Sequence, residues 1–437
     1  MTASFALSAA QTAVLELHRD DPSGHRQATH RGFTVSGPLD VPALRAAVAT
    51  LVRRHEPLRT VYRGGPVPLQ TVLPEMPAPV ELTDVAARPH AFDLAHGPLL
   101  RVAVRPRGPH LHEVSFFLHL LAADGWSLRV FFAELAACYR AERSGRTPDL
   151  PELALDYVDW AAWQNGELTP ERRAHLSAWW RNALEGYPVP TPGAVAGVSA
   201  TNVGRRLSVR LESGLTRALR ETAAARGHGL FSVLASACAV ALSRHEEEDR
   251  LPLGLAVANR DRPEVAGLLG FFATLTVLPV DLRGNPAFAD VVERVSRART
   301  ETYRHRELPL AAIAAAVAPG TPPVRALSLV RACFAHHPSG SLGTLRLDGC
   351  AVEELPLPDG ARFPLMVRVE EHADDSCTVW GEFTTTAPPL GENEVRALLA
   401  AYRAVLEHVA ATPDAPLAAL RRTAREREQD GPGHGPR

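Results

Sequence analysis

Strand-like and helix-like patterns alternate along this chain, and the order begins again past residue 204. Asp40 precedes a stretch, 41–54, in which Leu44, Val48, Leu51 and Val52 fall on one face at helical spacing. Residues 99–104 and 111–118 alternate apolar and polar around Gly108-Pro109, which reads as a hairpin. A helix follows over about 128–142, with Val130, Phe131, Leu135 and Cys138 as its stripe. Further helices surround Tyr157 and Trp179, and another is expected near the start, at 8–17. Residues 186–204 are rich in Gly, Pro, Ala, Ser and Thr, a composition suited to a linker. The second half then opens strand-first at 205–211, continues into a helix at 214–225, and ends on a helix near 392–410. Both halves begin strand-then-helix and end on helices, which fits a duplicated α/β architecture, although no sequence repeat is visible. The expected division is a first lobe over 1–185, a linker over 186–204, a second lobe over 205–421 and a flexible tail over 422–437.

Composition narrows what such a fold can do. At 437 residues, with 46% hydrophobic content, there is material for two mostly aliphatic cores. A net charge of −2 gives no overall drive toward nucleic acid or anionic lipid. There is no lysine: all 47 basic residues are arginine, as in proteins of GC-rich genomes. An internal aldimine with pyridoxal phosphate and a phosphate-loop lysine are therefore both excluded. Cys138, Cys238, Cys333, Cys350 and Cys377 are odd in number and widely spaced, so neither a zinc ribbon nor a disulfide framework is indicated. His110 and His112 lack a partner at metal-site spacing, and no metal is expected. The N-terminal residues have no basic region followed by a long apolar run. The most apolar run, 268–280, is too short to cross a bilayer. The expectation is a reduced, soluble, cytoplasmic protein.

The segment richest in chemistry is Phe116-Phe117-Leu118-His119-Leu120-Leu121-Ala122-Ala123-Asp124-Gly125-Trp126-Ser127. It leaves an apolar strand, turns and enters a helix. A plain reading makes His119 a hydrogen-bonded core histidine and Asp124 a helix cap.

The same segment resembles the H-H-x-x-x-D-G signature of nonribosomal peptide synthetase condensation domains, a branch of the chloramphenicol acetyltransferase-like family. Five more segments resemble that family's motifs in the family's order. Ser8-Ala9-Ala10-Gln11 is similar to S-x-A-Q, and Arg54-His55-Glu56-Pro57-Leu58-Arg59-Thr60 to R-H-E-x-L-R-T. Tyr157-Val158-Asp159-Trp160-Ala161-Ala162-Trp163-Gln164 is similar to Y-x-D-F-A-x-W-Q. Asn259-Arg260-Asp261-Arg262-Pro263-Glu264 resembles N-R-x-R-x-E, and Gly270-Phe271-Phe272-Ala273-Thr274-Leu275 resembles G-x-F-V-N-T. The resemblance runs over nearly the whole chain. It implies two chloramphenicol acetyltransferase-like lobes in a V-shaped pseudo-dimer, with an interlobe tunnel entered from both faces.

The departures bear on chemistry. His119 stands at the first histidine of the signature and Asp124 and Gly125 at its end, but Leu120 occupies the second histidine. In the family that histidine is the candidate general base or positioning group, and leucine can neither accept a proton nor hydrogen-bond an amine. The family's asparagine near the tunnel is Ala273 here. The resemblance makes Asp124 the structural partner of a buried arginine, with Arg59 as the matching residue. It also places Leu120, Trp126, Ser127, Ala273, Thr274 and Cys333 along the substrate tunnel. His336 and His337 end a strand that would wall it. Adjacent strand residues point to opposite faces, so one of the two could supply an inward base, or both could sit at a solvated strand end. The candidate catalytic set is thus His119, Gly125, His336 and His337.

The resemblance implies a stand-alone protein of nonribosomal peptide or hybrid polyketide biosynthesis, meeting donor and acceptor carrier proteins. No cofactor is expected to be bound, the substrates being carried on phosphopantetheine. The leading expectation is an acyltransferase joining a carrier-bound acyl or aminoacyl thioester to an amine through an atypical site. The alternatives are a non-catalytic domain that binds carriers or recruits another enzyme, and a coenzyme A-dependent acyltransferase.

Overall fold

The computed structural model describes residues 3–20, 27–65, 67–86, 91–188, 204–246, 248–320, 323–330, 332–355, 363–384 and 390–421. The linker expected at 186–204 lies outside them except at its ends, and the tail at 422–437 lies outside them entirely.

The chain forms two compact units. One comprises Met1–Thr169, Ala258–Ala273 and Gly340–Asp359, the other Pro170–Val257, Thr274–Ser339 and Gly360–Arg437. This corrects the single boundary expected at the linker. The helix Pro170–Ala183 packs in the second unit, where Trp180 Nε1 donates to His305 O at 3.1 Å. Two later stretches return to the first unit, because Leu269, Leu345 and Leu347 are buried in its core. Composition marks where a chain is loose, not where its apolar side chains are buried.

The first unit is built on a five-stranded sheet. In spatial order its strands are Ala351–Leu355, Ala28–Ser36, Leu111–His119, Leu100–Gly108 and Val80–Leu82, antiparallel except for the last pair. The hairpin expected around Gly108 is its centre. The helices Val41–Arg54 and Gly125–Arg143 cover one face. Asp40 Oδ1 caps the former by accepting from Ala43 N at 2.9 Å, satisfying an amide that has no intrahelical partner. Between sheet and helix, Phe33, Phe116, Phe131 and Phe132 meet edge to face with centroids 5.3–6.0 Å apart. A small sheet (Ser4–Ala6, Leu69–Val72, Thr60–Arg63) and the helices Ala9–Asp20 and Tyr157–Glu167 complete the unit.

The second unit holds a six-stranded mixed sheet. Its order is Thr274–Asp281, Arg250–Val257, Ala332–His337, Leu365–Glu371, Cys377–Thr384 and Gly204–Leu211. The strand Ala332–His337 is parallel to both neighbours, and the other pairings are antiparallel. Helices Ser213–Ala224, Leu230–Glu246, Phe288–Arg304 and Glu392–Ala411 bury the face carrying Leu253, Phe334, Val367 and Val379. Among the described residues, no helix is long and apolar enough to cross a membrane.

Candidate functional site

The strand Leu111–His119 and the helix Gly125–Arg143 belong to the first unit, and the loop between them gathers most of the expected site residues. His119 N donates to Leu99 O at 3.0 Å and Leu120 N to Gln27 O at 2.6 Å, so the strand end is held from two sides. The chain then tightens into a turn, with Ala122 N donating to His119 O at 2.9 Å. Asp124 caps the helix: its Oδ1 accepts from Ser127 N at 2.8 Å.

Asp124 does more than cap. Its other oxygen, Oδ2, accepts from the amides of Phe272 and Ala273 at 3.0 and 3.2 Å. Arg260 Nη2 donates to Oδ1 at 3.2 Å and to Ser127 Oγ at 2.8 Å. Arg260 Nη1 closes the cage on Val265 O and Leu268 O at 2.7 and 2.8 Å. The two side chains are only 2% and 1% exposed, so carboxylate and guanidinium neutralise one another away from water. Burial pulls Arg260 down and the Asp124 charge pushes it back up. A guanidinium stays charged in proteins, so the pair is ionic. Arg260 also lies 4.0 Å over the Phe272 ring.

The arginine expected at Asp124 was Arg59, and this is corrected: Arg59 instead donates to Leu73 O at 2.6 Å and pairs with Glu56 at 3.6 Å. Its place at the end of a short 3-10 turn, Glu56–Arg59, commits its side chain to local partners. Arg260 lies in the N-R-x-R-x-E-like segment, but a residue string alone does not say which of 47 arginines reaches a buried acid.

The other matched motifs hold this loop from behind. Tyr62 Oη donates to Leu121 O at 3.2 Å and lies 3.0 Å from Gln11 Nε2. Tyr157 Oη donates to Phe271 O at 2.6 Å and lies 3.0 Å from Ser8 Oγ. Burial raises both phenols, so they stay protonated and act as donors. Gly270, at φ +144, leaves its Cβ position to the Tyr157 ring, which an added Cβ would meet at 2.0 Å. In R-H-E-x-L-R-T, His55 Nε2 lies 2.8 Å from Glu134 Oε2, tying the end of one helix to the middle of another. These contacts join residues far apart in sequence, so the motifs taken singly do not reveal this support.

His119 is wholly buried. Leu121 N donates to its Nδ1 at 3.2 Å, which fixes a neutral ring with its proton on Nε2. His18 and Phe92 meet the ring edge-on at 5.5 and 5.7 Å. Leu120 is 9% exposed and belongs to the apolar cluster of the unit. Ser127 is buried, its hydroxyl 2.8 Å from both Asp124 Oδ1 and Gly270 O, with one proton to serve both. Trp126 Nε1 donates to Ala266 O at 2.9 Å, and Arg129 stacks 4.1 Å over its ring. Ala273 is half-buried, its amide on Asp124. The loop therefore brings together His119, Leu120, Asp124, Gly125, Trp126, Ser127 and Ala273.

The remaining candidates lie in the second unit. Thr274 opens the strand Thr274–Asp281. Cys333 is buried, and burial pushes its thiol well above the ordinary range. Its sulfur packs where a Cβ on Gly254 would sit, 2.6 Å away. His336 shares the helix-covered face of the sheet with Phe334, and its Nε2 lies 2.6 Å from Glu371 Oε1. Arg220 Nη2 donates to the other Glu371 oxygen at 3.0 Å. Burial lowers His336, against the upward pull of Glu371. His337 points to the opposite face and is lowered to about 4, by burial first and then by Arg368. Neither is a plain solvated strand end: both rings are half-buried. Among the described residues, no group of His, Cys, Asp and Glu is arranged to hold a metal ion.

Two α/β units, one carrying a strand–turn–helix loop clamped by a buried Asp–Arg pair, match the chloramphenicol acetyltransferase-like fold of condensation domains. The family model described as "Condensation domain" matches residues 1–430, and the chain belongs to that family. It is 34% identical over 295 residues to the chondramide synthase of Chondromyces crocatus, covering 63% of this chain and 8% of that protein. It is 32% identical over 340 residues to a phosphinothricin tripeptide synthetase of Streptomyces viridochromogenes, covering 73% of this chain and 28% of that one. The chain thus spans a small part of these curated relatives. Among solved structures it is similar to the X-domain from teicoplanin biosynthesis, at 25% identity and TM-score 0.81 over 94% of this chain and 96% of that one. The first condensation domain of the calcium-dependent antibiotic synthetase shares the fold, at 19% identity and TM-score 0.79 over 95% and 98%.

Proposed function

We propose that this chain works in nonribosomal peptide assembly by positioning: it joins a carrier-bound acyl or aminoacyl thioester to an amine without a histidine base at residue 120. The observation that carries this reading is the intact clamp. Asp124, Arg260, Ser127 and the amides of Phe272 and Ala273 hold the loop rigidly, while Leu120 brings no proton acceptor to it. Orienting two reactants can supply about 7–11 kcal/mol of a barrier, against the roughly 10²–10⁴-fold that a general base contributes. A neutral amine attacks a thioester carbonyl with its own lone pair; the C–S bond then breaks, the proton leaves the nitrogen through water, and the pantetheine sulfur departs as the thiol. A hydroxyl acceptor lacks that option. The phosphopantetheine arms of donor and acceptor carriers would deliver the substrates.

A second reading is favoured by one observation, the likeness to a teicoplanin X-domain, which has also been solved in complex with OxyB. On that reading the chain binds carrier-linked intermediates and presents them to another enzyme. Intact-protein mass spectrometry of loaded donor and acceptor carriers, with and without the chain, separates the two. Mass transfer between carriers at substoichiometric protein supports condensation. Saturable binding without transfer for every pair defeats it in favour of recruitment. Transfer from coenzyme A thioesters with no carrier present would make this a coenzyme A-dependent enzyme instead.

A further inference from the structure

Residues 340–355 return to the first unit and run across it as a strap. Its far end pairs with the sheet, Ala351–Leu355 against Ala28–Ser36. Its middle is plugged in by Leu345 and Leu347, 1% and 3% exposed, and by Arg140 on Asp348 at 2.9 Å. Its near corner, 340–343, has neither anchor. Arg31 holds that corner: Nη1 donates to Leu342 O and Nη2 to Gly343 O, both at 3.2 Å. The same guanidinium grips Glu354 with two bonds, at 2.5 and 2.7 Å, a fork that lysine cannot reproduce. It lies 5.6 and 5.5 Å from the Phe33 and Phe132 rings, beneath the strap.

The corner is pressed onto the functional helix. Gly343, at φ +67, comes so close that an added Cβ would lie 2.6 Å from Arg129 Cα. Leu342 reaches Gly125, where Leu342 Cδ2 would be 3.3 Å from an added Cβ. The open side of the one residue in the loop without a side chain is therefore walled by Leu342.

We propose that Arg31 is a positioning residue that pins the 340–343 corner, and that Leu342, so held, limits the size of the group that can approach Gly125. This deepens the reading above in taking Gly125 as a place substrates approach; the pin itself does not depend on it. The test uses Arg31→Gln, Leu342→Ala and Gly343→Ala in the full chain. Backbone hydrogen exchange in 340–347 should rise about tenfold in Arg31→Gln, with the strand Leu111–His119 unchanged. Gly343→Ala should do the same with Arg31 intact, because the clash with Arg129 lifts the corner; it stands in if Arg31→Gln does not fold. Calorimetric titration with acetyl-, phenylacetyl- and naphthylacetyl-pantetheine then reads the wall. Relative affinity for the largest probe should rise by about tenfold in Leu342→Ala and Arg31→Gln. Unchanged exchange in folded Arg31→Gln overturns the pin. An unchanged size preference, or no probe binding by any form, overturns the wall. Failure of carrier-to-carrier transfer, scored separately, overturns only the condensation reading.

Discussion

Asp124 and Arg260 meet at 3.2 Å with both side chains almost wholly buried, and between them they fix the turn that carries His119 to Gly125. Removing one partner strands a charge in the interior. Arg260→Ala or Asp124→Ala should each destabilise the first unit by roughly 3–5 kcal/mol. The double variant should lose less than the sum of the two, as coupled partners do. Denaturant unfolding of the four proteins measures this; strict additivity would show that the pair is not coupled. Arg59→Ala, by contrast, removes contacts to Leu73 O and Glu56, none of them to Asp124, and should leave the loop's exchange protection as it is.

Gly270 tests the support behind the loop. Alanine there must adopt φ +144 and place its Cβ inside the Tyr157 ring. Gly270→Ala should lower the melting temperature by several degrees or prevent folding, and should loosen the Tyr157 to Phe271 hydrogen bond. A variant as stable as the parent would mean that the ring moves aside without penalty.

The proposed chemistry is tested at Leu120. Leu120→His restores an imidazole of similar bulk at a position 9% exposed, so overpacking should be modest. With a hydroxyl acceptor, transfer should rise by about tenfold or more, since a base can contribute 10²–10⁴. With an amine acceptor the gain should be small. His336→Ala should leave transfer unchanged, because that ring is already engaged by Glu371 on the helix-covered face. If the folded Leu120→His protein binds both carriers and transfers nothing across a wide panel, the retained-site reading fails.

Two half-buried histidines set an acid limit. His30, stacked 4.0 Å from Phe117, is lowered to about 4 by burial, and His337 is lowered to about 4 by burial and by Arg368. His336 and Glu382 also act on His337, the first lowering it and the second raising it. A lowered histidine is neutral in the fold while the unfolded chain takes up a proton near pH 6.5. Stability from these two sites is therefore complete above about 6.5 and lost as pH falls toward 4. His30→Gln and His337→Gln should each flatten the decline of melting temperature over that window. Parallel curves for variant and parent would exclude the assigned histidine as a source.

Much of this protein could be read from its residues taken in order. Leu44, Val48, Leu51 and Val52 are all buried, on the helix their spacing demanded, and Asp40 caps it. The hairpin around Gly108 and the helix entered at Gly125 likewise follow from local rules of period, cap and turn. The family motifs, being short strings, were equally legible, and so was the leucine at position 120. Which arginine would meet Asp124 was not, because Arg59 and Arg260 are the same residue type, and only the packing of 258–273 into the first unit brings one of them within 3.2 Å of the carboxylate. The return of 340–355 to that unit was hidden for the same reason: Leu345 and Leu347 look like any apolar pair until a core has a gap for them. Local free energies fix elements and their ends. Which distant segment fills a buried site depends on the summed packing of the whole unit, and that is where the tertiary structure decided.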